Sequence, residues 1–266
     1  MSQPSIALQE LHVESVGAGP PLVLLHGWAL HSGLWMPVLA RLARRFRVHA
    51  VDLPGHGFSP PLDPYTLGGI ADAIARACRD LDEPATVLGW SLGGVAAMQW
   101  ALGAPGRVAR LILMCTTPCF AARSDWRCAM ELETLRRFGG EFEADYEATL
   151  QRFVALQVHG SANARATLGQ LRSQLFARGR PTRETLTAAL ALLEQTDLRG
   201  VVPAIAQPSL VIAGERDTLV PGAAGAWLAD ALPAGSYALI AHAAHAPFLS
   251  HPDEFFQALE DFVDGR

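Results

Sequence analysis

The sequence predicts an α/β fold in which a mostly parallel central sheet carries helices on both faces and an inserted helical cap. Three features of the sequence indicate this fold. Apolar segments of about five residues alternate with helical segments along most of the chain, a pattern typical of a parallel sheet buried on both sides. One long stretch with only helical periodicity interrupts the alternation. The 266 residues suffice for one large domain with such an insertion.

The predicted strands are apolar segments that run into glycine-rich or polar loops. Six of them are expected within residues 21–27, 46–57, 86–90, 108–115, 209–214 and 236–241. The segment at 6–15 alternates less regularly and is expected to form an antiparallel edge hairpin. Helical periodicity predicts helices at 68–81, from Leu92 to about Leu102, and at 252–263.

The interruption at residues 119–196 is the predicted cap. It contains no convincing strand, and breaks in its helical periodicity are expected at 139–140, 160 and 179–181. The core that carries the sheet is predicted to comprise residues 1–118 and 197–266. Because an open parallel sheet binds ligands beyond the carboxyl ends of its strands, a cap inserted after a strand would cover the site.

Composition and charge restrict the functional class. Half of the residues are apolar and the net charge is −5, which argues against general nucleic-acid binding. No apolar run reaches the ~18 residues that a membrane helix needs, and the N-terminus lacks the pattern of a secretory signal. The four cysteines have no metal-binding spacing and are expected to be reduced thiols. We therefore expect a cytoplasmic protein that has no metal, cofactor or membrane partner.

The stretch Gly89-Trp90-Ser91-Leu92-Gly93 matches the pattern G-x-S-x-G. In this pattern a tight strand-to-helix turn exposes the serine hydroxyl above the sheet, and only small residues fit two positions before and after it. Any glycine-rich turn can match so short a pattern by accident. The prediction that Ser91 is a nucleophile therefore depends on its neighbours.

A nucleophilic serine needs a base, and the base needs an orienting acid. In this architecture they follow in the order serine, acid, histidine, each after a strand. Asp217 follows the strand at 209–214, and His245 follows the strand at 236–241. Glu215 and His242 are the local competitors. We predict Ser91, Asp217 and His245 as the triad because the latter two lie farther along their loops. Alternatively, Asp217 is only a turn residue.

Attack on a carbonyl also needs hydrogen-bond donors for the oxyanion. The backbone N–H of Leu92, at a helix N-terminus, is one candidate. Gly27 permits a turn in the loop at 26–35, so that the N–H of Trp28 is the second candidate. The indoles of Trp28 and Trp90 are expected to line an acyl pocket, although both could instead be core residues.

Several segments together resemble one known family. These segments are HGW, DLPGHGFS, GWSLGG, TTPCF, QTDLRG, GERDTLVP and AAHAPFLSHP. They resemble the α/β-hydrolases, and more narrowly the pimeloyl-[acyl-carrier protein] methyl ester carboxylesterases of biotin synthesis. The match covers nearly the whole chain. GWSLGG with PCF and HAPFLSHP is much narrower than the general superfamily pattern. The resemblance implies catalytic roles for Ser91, Asp217 and His245, and carbonyl contacts for Trp28 and Leu92.

The resemblance also implies substrate contacts in the cap segment FVALQ, which comprises Phe153, Val154, Ala155, Leu156 and Gln157. On a helix, Phe153, Leu156 and Gln157 share one face, which independently suits the roof of a pocket. The same face could instead belong to the core of the cap.

The cap carries an uneven charge. Residues 148–183 contain six arginines and no Asp or Glu. An acyl carrier protein is acidic, so Arg152, Arg165 and Arg172 are predicted to dock it. Relatives can carry arginine at positions where this chain has Ala148 and Gly169, so docking could depend more on Arg172, Arg178 or Arg180. A solvated helix surface is the alternative.

The predicted function is hydrolysis of the methyl ester of a pimeloyl chain carried by acyl carrier protein, by a monomer. Small esters are expected to serve as surrogate substrates. Two alternatives stay open. One is a different hydrolase of this fold, such as a general short-chain carboxylesterase or a carbon–carbon bond hydrolase. The other is a capped binding protein without activity, against which an intact triad argues.

Overall fold

Within the part of the chain that the structure describes, the central sheet has seven strands, and only the first runs antiparallel to its neighbour. A computed structural model describes residues 10–265. The strand order across the sheet is β1-β3-β2-β4-β5-β6-β7, and every pair other than β1 with β3 is parallel. The strands are β1 (Val13–Val16), β2 (Pro21–Leu25), β3 (Arg47–Val51), β4 (Ala85–Trp90), β5 (Val108–Met114), β6 (Ser209–Gly214) and β7 (Gly235–Ile240).

Ten α-helices connect and cover these strands within the described residues. They are α1 (Met36–Leu42), α2 (Leu67–Ala77), α3 (Leu92–Gly103), α4 (Leu132–Ala144), α5 (Tyr146–Leu156), α6 (Ala164–Gln174), α7 (Arg183–Gln195), α8 (Gly222–Ala231), α9 (Pro247–Ser250) and α10 (Pro252–Asp264). The alternation of strand and helix confirms the predicted α/β fold with a mostly parallel sheet.

The inner strands are apolar because both of their faces are covered. Every residue of β2, β4 and β6 is buried, as expected for the middle of a parallel sheet. β7 differs, since Tyr237 and Leu239 are exposed on this edge strand. The burial on both sides that the alternation predicted for the sheet therefore does not extend to this edge strand.

The opposite edge is antiparallel, as predicted, but it is not a hairpin. β1 pairs with β3 in the register Val13 to Val51, and β2 lies between them in sequence. The edge strand β1 and its partner β3 are therefore not consecutive in sequence. The first part of the predicted hairpin, residues 6–9, lies outside the described residues.

Four helices, α4 to α7, lie between β5 and β6 in sequence, within the stretch predicted as a cap. We keep the name cap for residues 119–196; its boundaries stay a prediction. The expected helix break at residues 139–140 was wrong, because α4 continues through both glycines and ends at Ala144. The helix tolerates them because α4 packs against α5 and α7, and packing outweighs a propensity cost of ~1 kcal/mol per glycine.

Among residues 10–265, no helix is both long and apolar enough to span a membrane. All four cysteines are unbonded thiols. The carboxyl ends of β2, β4, β6 and β7 lead into the loops that carry the predicted site, which brings residues from distant parts of the sequence to one edge of the sheet.

Candidate active site

Ser91 occupies a strained turn between β4 and α3. Its backbone has φ +56° and ψ −118°, a conformation that costs a non-glycine residue of order 1–3 kcal/mol and is concentrated at functional sites. The turn is too tight for neighbouring side chains. A Cβ atom at Gly89 would overlap the carbonyl of Gly93, and one at Gly93 would overlap the carbonyl of Leu25. The sequence G-x-S-x-G is thus required by the geometry of this turn.

Asp217 and His245 form a buried pair. Asp217 Oδ2 lies 2.7 Å from His245 Nδ1, and Asp217 Oδ1 accepts hydrogen bonds from the backbone amides of Leu219 (2.9 Å) and Val220 (3.0 Å). These amides fix the carboxylate. The contact at Nδ1 leaves His245 Nε2 as the ring nitrogen that is able to take a proton.

The competing acid and histidine lie elsewhere. Glu215 and His242 are exposed and contact each other, with the backbone N–H of His242 donating to Glu215 Oε2 at 2.8 Å. Arg216 lies 2.8 Å from His242 Nδ1 and also donates to the carbonyl of Gly160 at 2.7 Å. Glu215 and His242 therefore belong to a polar contact between this loop and the cap.

The loop at residues 26–35 lies directly beside Ser91. A Cβ atom at Gly27 would be 3.3 Å from the Cβ of Ser91, so the loop approaches the serine closely at a residue without a side chain. Leu92 is the first residue of α3, and the amides of a first helical turn have no partner within the helix. Leu92 and the loop that carries Trp28 thus both adjoin the serine, and the role of their amides as oxyanion donors stays a prediction.

Ser91 and His245 line one cavity of about 670 Å³, counted with its open mouth. The other lining residues are Trp28, Phe120, Met130, Thr134, Leu135, Phe138, Phe153, Leu156, Leu190, Leu193 and Leu219. His245 is the only titratable group among these residues. The cavity therefore suits an uncharged, largely apolar group that presents a reactive centre to the serine.

Trp28 is the centre of the aromatic wall. Its ring packs edge to face against Phe153 (4.9 Å between centroids), Phe138 (5.6 Å) and Phe142 (5.6 Å). Trp90 does not line the cavity, in contrast to the expectation. Its fully buried indole packs against Phe248 and donates to the carbonyl of His245 at 2.7 Å. Successive residues alternate across a strand, so the indole before the serine points into the core.

The cap segment at 153–157 divides into two groups. Phe153 and Leu156 line the cavity, but Val154 and Ala155 do not, because a helix turns only one side to it. Gln157, which follows the last residue of α5, also lies off the cavity. Its carbonyl instead accepts the backbone N–H of His245 at 3.0 Å, so this cap residue supports the histidine through the backbone.

Comparisons with known proteins agree with this geometry. The profile of the α/β hydrolase fold family matches residues 20–252. A pimeloyl-[acyl-carrier protein] methyl ester esterase of Xanthomonas axonopodis pv. citri is 49% identical over 95% of this chain and 98% of its own. The protein of the same name from Nitrosospira multiformis is 43% identical, again over 95% of this chain and 98% of its own.

The chain belongs to the α/β-hydrolase family and, within it, to the pimeloyl-[acyl-carrier protein] methyl ester esterase family. Among solved structures, an esterase from Exiguobacterium antarcticum superposes with a TM-score of 0.87 at 22% identity, covering 96% of this chain and 95% of its own. That likeness shows the fold.

Sequence reasoning did not identify most of the cavity wall. Phe120, Met130 and the residues contributed by α4 and α7 are apolar positions that periodicity assigns equally well to the core of the cap. A spacing of three or four residues, as between Leu135 and Phe138 on α4 or Leu190 and Leu193 on α7, indicates a buried face. It does not indicate whether that face meets protein or substrate.

The cap arginines fall into two groups. Arg165 and Arg172 are exposed on α6, and Arg152 is exposed on α5, where it pairs with Glu141 at 3.0 Å. Arg178, considered as a further docking residue, is 12% exposed in its side chain and is bound within the protein. Arg180 pairs with Glu147 at 2.9 Å. Because its guanidinium is bound within the protein, Arg178 is unavailable to a carrier, in contrast to the expectation that it could take part in docking.

One group within residues 10–265 has the ligand types of a metal site. Cys115, Asp217 and His245 have their ligand atoms within 4.8 Å of one another. Asp217 and His245 are already hydrogen-bonded to each other, and burial raises the pKa of the Cys115 thiol well above its usual value. The protonated thiol and the occupied pair favour the triad over metal binding.

Proposed function

We propose that this chain is a serine carboxylesterase that cleaves the methyl ester of pimeloyl-acyl carrier protein methyl ester, in the synthesis of biotin. The observation that carries the proposal is the position of Ser91 and His245 on one apolar cavity, with Asp217 behind the histidine. Relatives 42–49% identical to the chain have this name. We further propose that the protein acts as a cytoplasmic monomer; its free cysteines suit a reducing compartment.

The proposed reaction has two steps. His245 Nε2 takes the proton of Ser91 as the serine oxygen attacks the ester carbonyl, and the amides of Leu92 and Trp28 stabilise the oxyanion. The C–O bond to methoxide then breaks, and the imidazolium of His245 protonates methoxide to methanol. Water, deprotonated by His245, attacks the acyl-enzyme and releases the free carboxylic acid and Ser91.

Asp217 orients His245 in this scheme. Its Oδ2 accepts the Nδ1–H, which fixes the tautomer that leaves Nε2 unprotonated. Replacing Asp217 by Asn should lower kcat by about 10⁴-fold, because an amide favours the wrong tautomer. Glu215→Gln is the matched control, since Glu215 lies on the surface, and it should retain kcat. The opposite result would move the acid role to Glu215.

The carrier is proposed to dock on the cap through Arg152, Arg165 and Arg172. Each exposed pair contributes only ~0.2–1 kcal/mol, but the summed field of three cations raises the rate of association with an acidic partner. We expect the carrier to be attracted by the summed field of the three arginines and not by one strong contact, because Arg152 is already paired with Glu141.

The function is tested by rescue of a bacterial strain that needs biotin because it lacks its own esterase. The wild-type chain should restore growth without biotin, and the Ser91→Ala variant, produced at an equal level, should not. In vitro, the purified protein should release methanol from the carrier-linked methyl ester. Growth with Ser91→Ala would refute the proposal, and so would cleavage of small esters without any action on the carrier-linked substrate.

Docking is tested separately by reversing charge. The triple variant R152E, R165E, R172E should lose at least tenfold in kcat/KM on the carrier-linked ester, and less than twofold on a small neutral ester. The wild-type rate on the carrier substrate should also fall as salt increases, because screening limits the field to ~8 Å near physiological ionic strength.

The control for docking carries the same change in charge on the core. The triple variant R44E, R76E, R110E changes three arginines outside the cap, and it should retain activity on both substrates. An equal loss in both triple variants would mean that net charge alone steers the carrier. An equal loss on both substrates in the cap variant would assign the three cap arginines to the stability of the cap.

A further inference from the structure

The loop beside Ser91 is held by the cap at three separate points. We call residues 26–35 the oxyanion loop. Three of its side chains form hydrogen bonds with the cap. Trp28 bonds to the carbonyl of Leu186 (3.0 Å) and His31 to the carbonyl of Gln174 (2.6 Å). Ser32 bonds to the guanidinium of Arg178 (2.9 Å). The loop and the cap are distant in sequence, so these bonds exist only when the cap is seated on the core.

Arg178 makes the charged one of these contacts. One arm of its guanidinium donates to Ser32 Oγ at 2.9 Å and lies 3.7 Å from Asp52 Oδ2. The other arm donates to Glu14 Oε2 on β1 at 2.6 Å. The guanidinium also lies over the ring of Phe58, 5.3 Å from its centroid. A single cap residue thus joins the oxyanion loop, β1 and the loop that follows β3.

Asp52 connects this contact to the backbone of the oxyanion loop. Its side chain is fully buried, and Oδ1 accepts the backbone N–H of Ser32 at 2.6 Å. Oδ2 accepts the N–H of Phe58 at 2.9 Å. A buried carboxylate needs a compensating cation and hydrogen bonds, and Arg178 is the nearest arginine paired with it. Loss of Arg178 therefore weakens both the side-chain and the backbone anchor of Ser32.

We infer that Arg178 is a positioning residue, which holds the oxyanion loop in its catalytic conformation through Ser32 and Asp52 only while the cap is seated. The inference rests on the proposed function, in which the amide of Trp28 stabilises the oxyanion. Trp28 is four residues before Ser32 in the same loop. Its indole also donates to cap helix α7, so movement of the cap displaces the loop from two sides.

The inference predicts a particular kinetic pattern. Loss of one oxyanion donor costs about 10²–10³-fold in kcat. A loop that is mispositioned in about 90–99% of the molecules should therefore lower kcat about 10- to 100-fold. KM for a small ester should change by less than about threefold, because the ground-state carbonyl carries little charge. Affinity for a trifluoromethyl ketone should fall as much as kcat/KM, since its adduct with Ser91 carries the oxyanion.

The test uses the full chain with Arg178→Met, which keeps most of the stem and removes the charge and the donors. Kinetics are measured on a short p-nitrophenyl ester, together with inhibition by the trifluoromethyl ketone. Hydrogen exchange of peptides that cover the oxyanion loop gives a readout independent of activity. The amides of Ser32 and Gly33, bonded to Asp52 and to His31 Nδ1, should exchange at least tenfold faster in the variant.

Arg41→Met is the matched control. Arg41 also binds two carboxylates, those of Asp253 (3.1 Å) and Glu260 (3.2 Å), and lies over Phe256 at 4.0 Å. These contacts join α1 to α10 within the core. Arg41→Met should therefore leave kcat, ketone affinity and exchange of the oxyanion loop unchanged.

A kcat for Arg178→Met within twofold of the wild type, with unchanged exchange in the loop, would overturn the inference. So would a loss of activity that appears only in KM. If Arg178→Met does not fold, Ser32→Ala decides, because it removes only the hydroxyl that Arg178 contacts and leaves every charge in place. Ser32→Ala should lower kcat about three- to tenfold, and wild-type kcat in that variant would equally refute the inference.

The small ester needs no carrier, so the two proposals fail separately. If the wild type does not cleave the carrier-linked ester but Arg178→Met still loses kcat and ketone affinity on the small ester, the proposed substrate is wrong and the inference stands. If the wild type cleaves the carrier-linked ester and Arg178→Met does so equally well, the inference is wrong and the proposed function stands.

Discussion

Phe153 is the residue through which the length of the acyl pocket can be changed. Its ring lines the cavity from α5 and packs edge to face on Trp28 at 4.9 Å and against Phe138 at 5.8 Å. Phe153→Ala removes the ring and leaves its Cβ in place. We expect the variant to prefer longer acyl chains than the wild type, because the vacated space extends the existing apolar cavity.

The size of this effect follows from the volume of the ring. A phenyl ring vacates space for roughly three additional methylene groups, and each buried methylene contributes ~0.8 kcal/mol, or about fourfold. The ratio of kcat/KM for a long ester over a short one should therefore rise by up to about 60-fold. Absolute rates should fall, because the lost edge-to-face contacts of ~0.5–1.5 kcal/mol each loosen Trp28.

The assay measures kcat/KM for p-nitrophenyl esters from four to twelve acyl carbons. Leu150→Ala is the control, since Leu150 lies on the same helix, is fully buried and does not line the cavity. It should lower stability and leave the chain-length profile unchanged. A profile for Phe153→Ala that is lower at every length but has the same shape would show that Phe153 does not limit the pocket.

Three further predictions concern stability and charge. Gly140→Ala should raise the free energy of unfolding by about 0.5–1 kcal/mol in urea denaturation, because a Cβ in the middle of α4 would meet no atom within 4 Å; a lower urea midpoint would contradict this. Burial lowers the pKa of His26 to about 3 and that of His56 to about 4. Both imidazoles stay neutral in the folded protein, but in the unfolded chain they bind protons as the pH falls below the ordinary histidine pKa of ~6.5. The free energy of unfolding should therefore fall by about 2 kcal/mol between pH 6.5 and 5.5. A flat stability profile over this range would contradict the prediction. Butanoate should inhibit at least about tenfold more weakly than the isosteric neutral ketone pentan-2-one, because the cavity offers an anion only His245; equal Ki values would count against a neutral cavity.

The fold was predictable because its signals are local. Apolar strands and glycine-rich loops identified the inner strands, since each buried strand requires its own run of apolar residues. The break expected at residues 139–140 failed for the opposite reason. Glycine lowers local helix propensity, but contacts of α4 with α5 and with α7, which is distant in sequence, keep the helix continuous.

The residues of the site likewise differed in how far the sequence alone could predict their roles. Ser91, Asp217 and His245 could be named because the order of strands and loops restricts where each can lie. Trp90 was misassigned, because an apolar residue beside the nucleophile suits a core and a pocket equally well. Arg178 gave no signal of its own, since its partners Glu14 and Asp52 lie on strands and loops that only the folded chain brings to the cap.

Under the proposed function, the charges of the protein would separate attraction for the carrier from selection of the acyl group. Arg152, Arg165 and Arg172 lie on the outside of the cap, where an acidic carrier would meet them. The cavity beneath has no cation other than a protonated His245. A methyl ester enters it without losing the hydration of a charge, whereas its hydrolysis creates an ionised carboxylate among apolar walls. Burial of that carboxylate without a partner is unfavourable by several kcal/mol, so the chemical step itself converts a ligand that suits the cavity into one that leaves it.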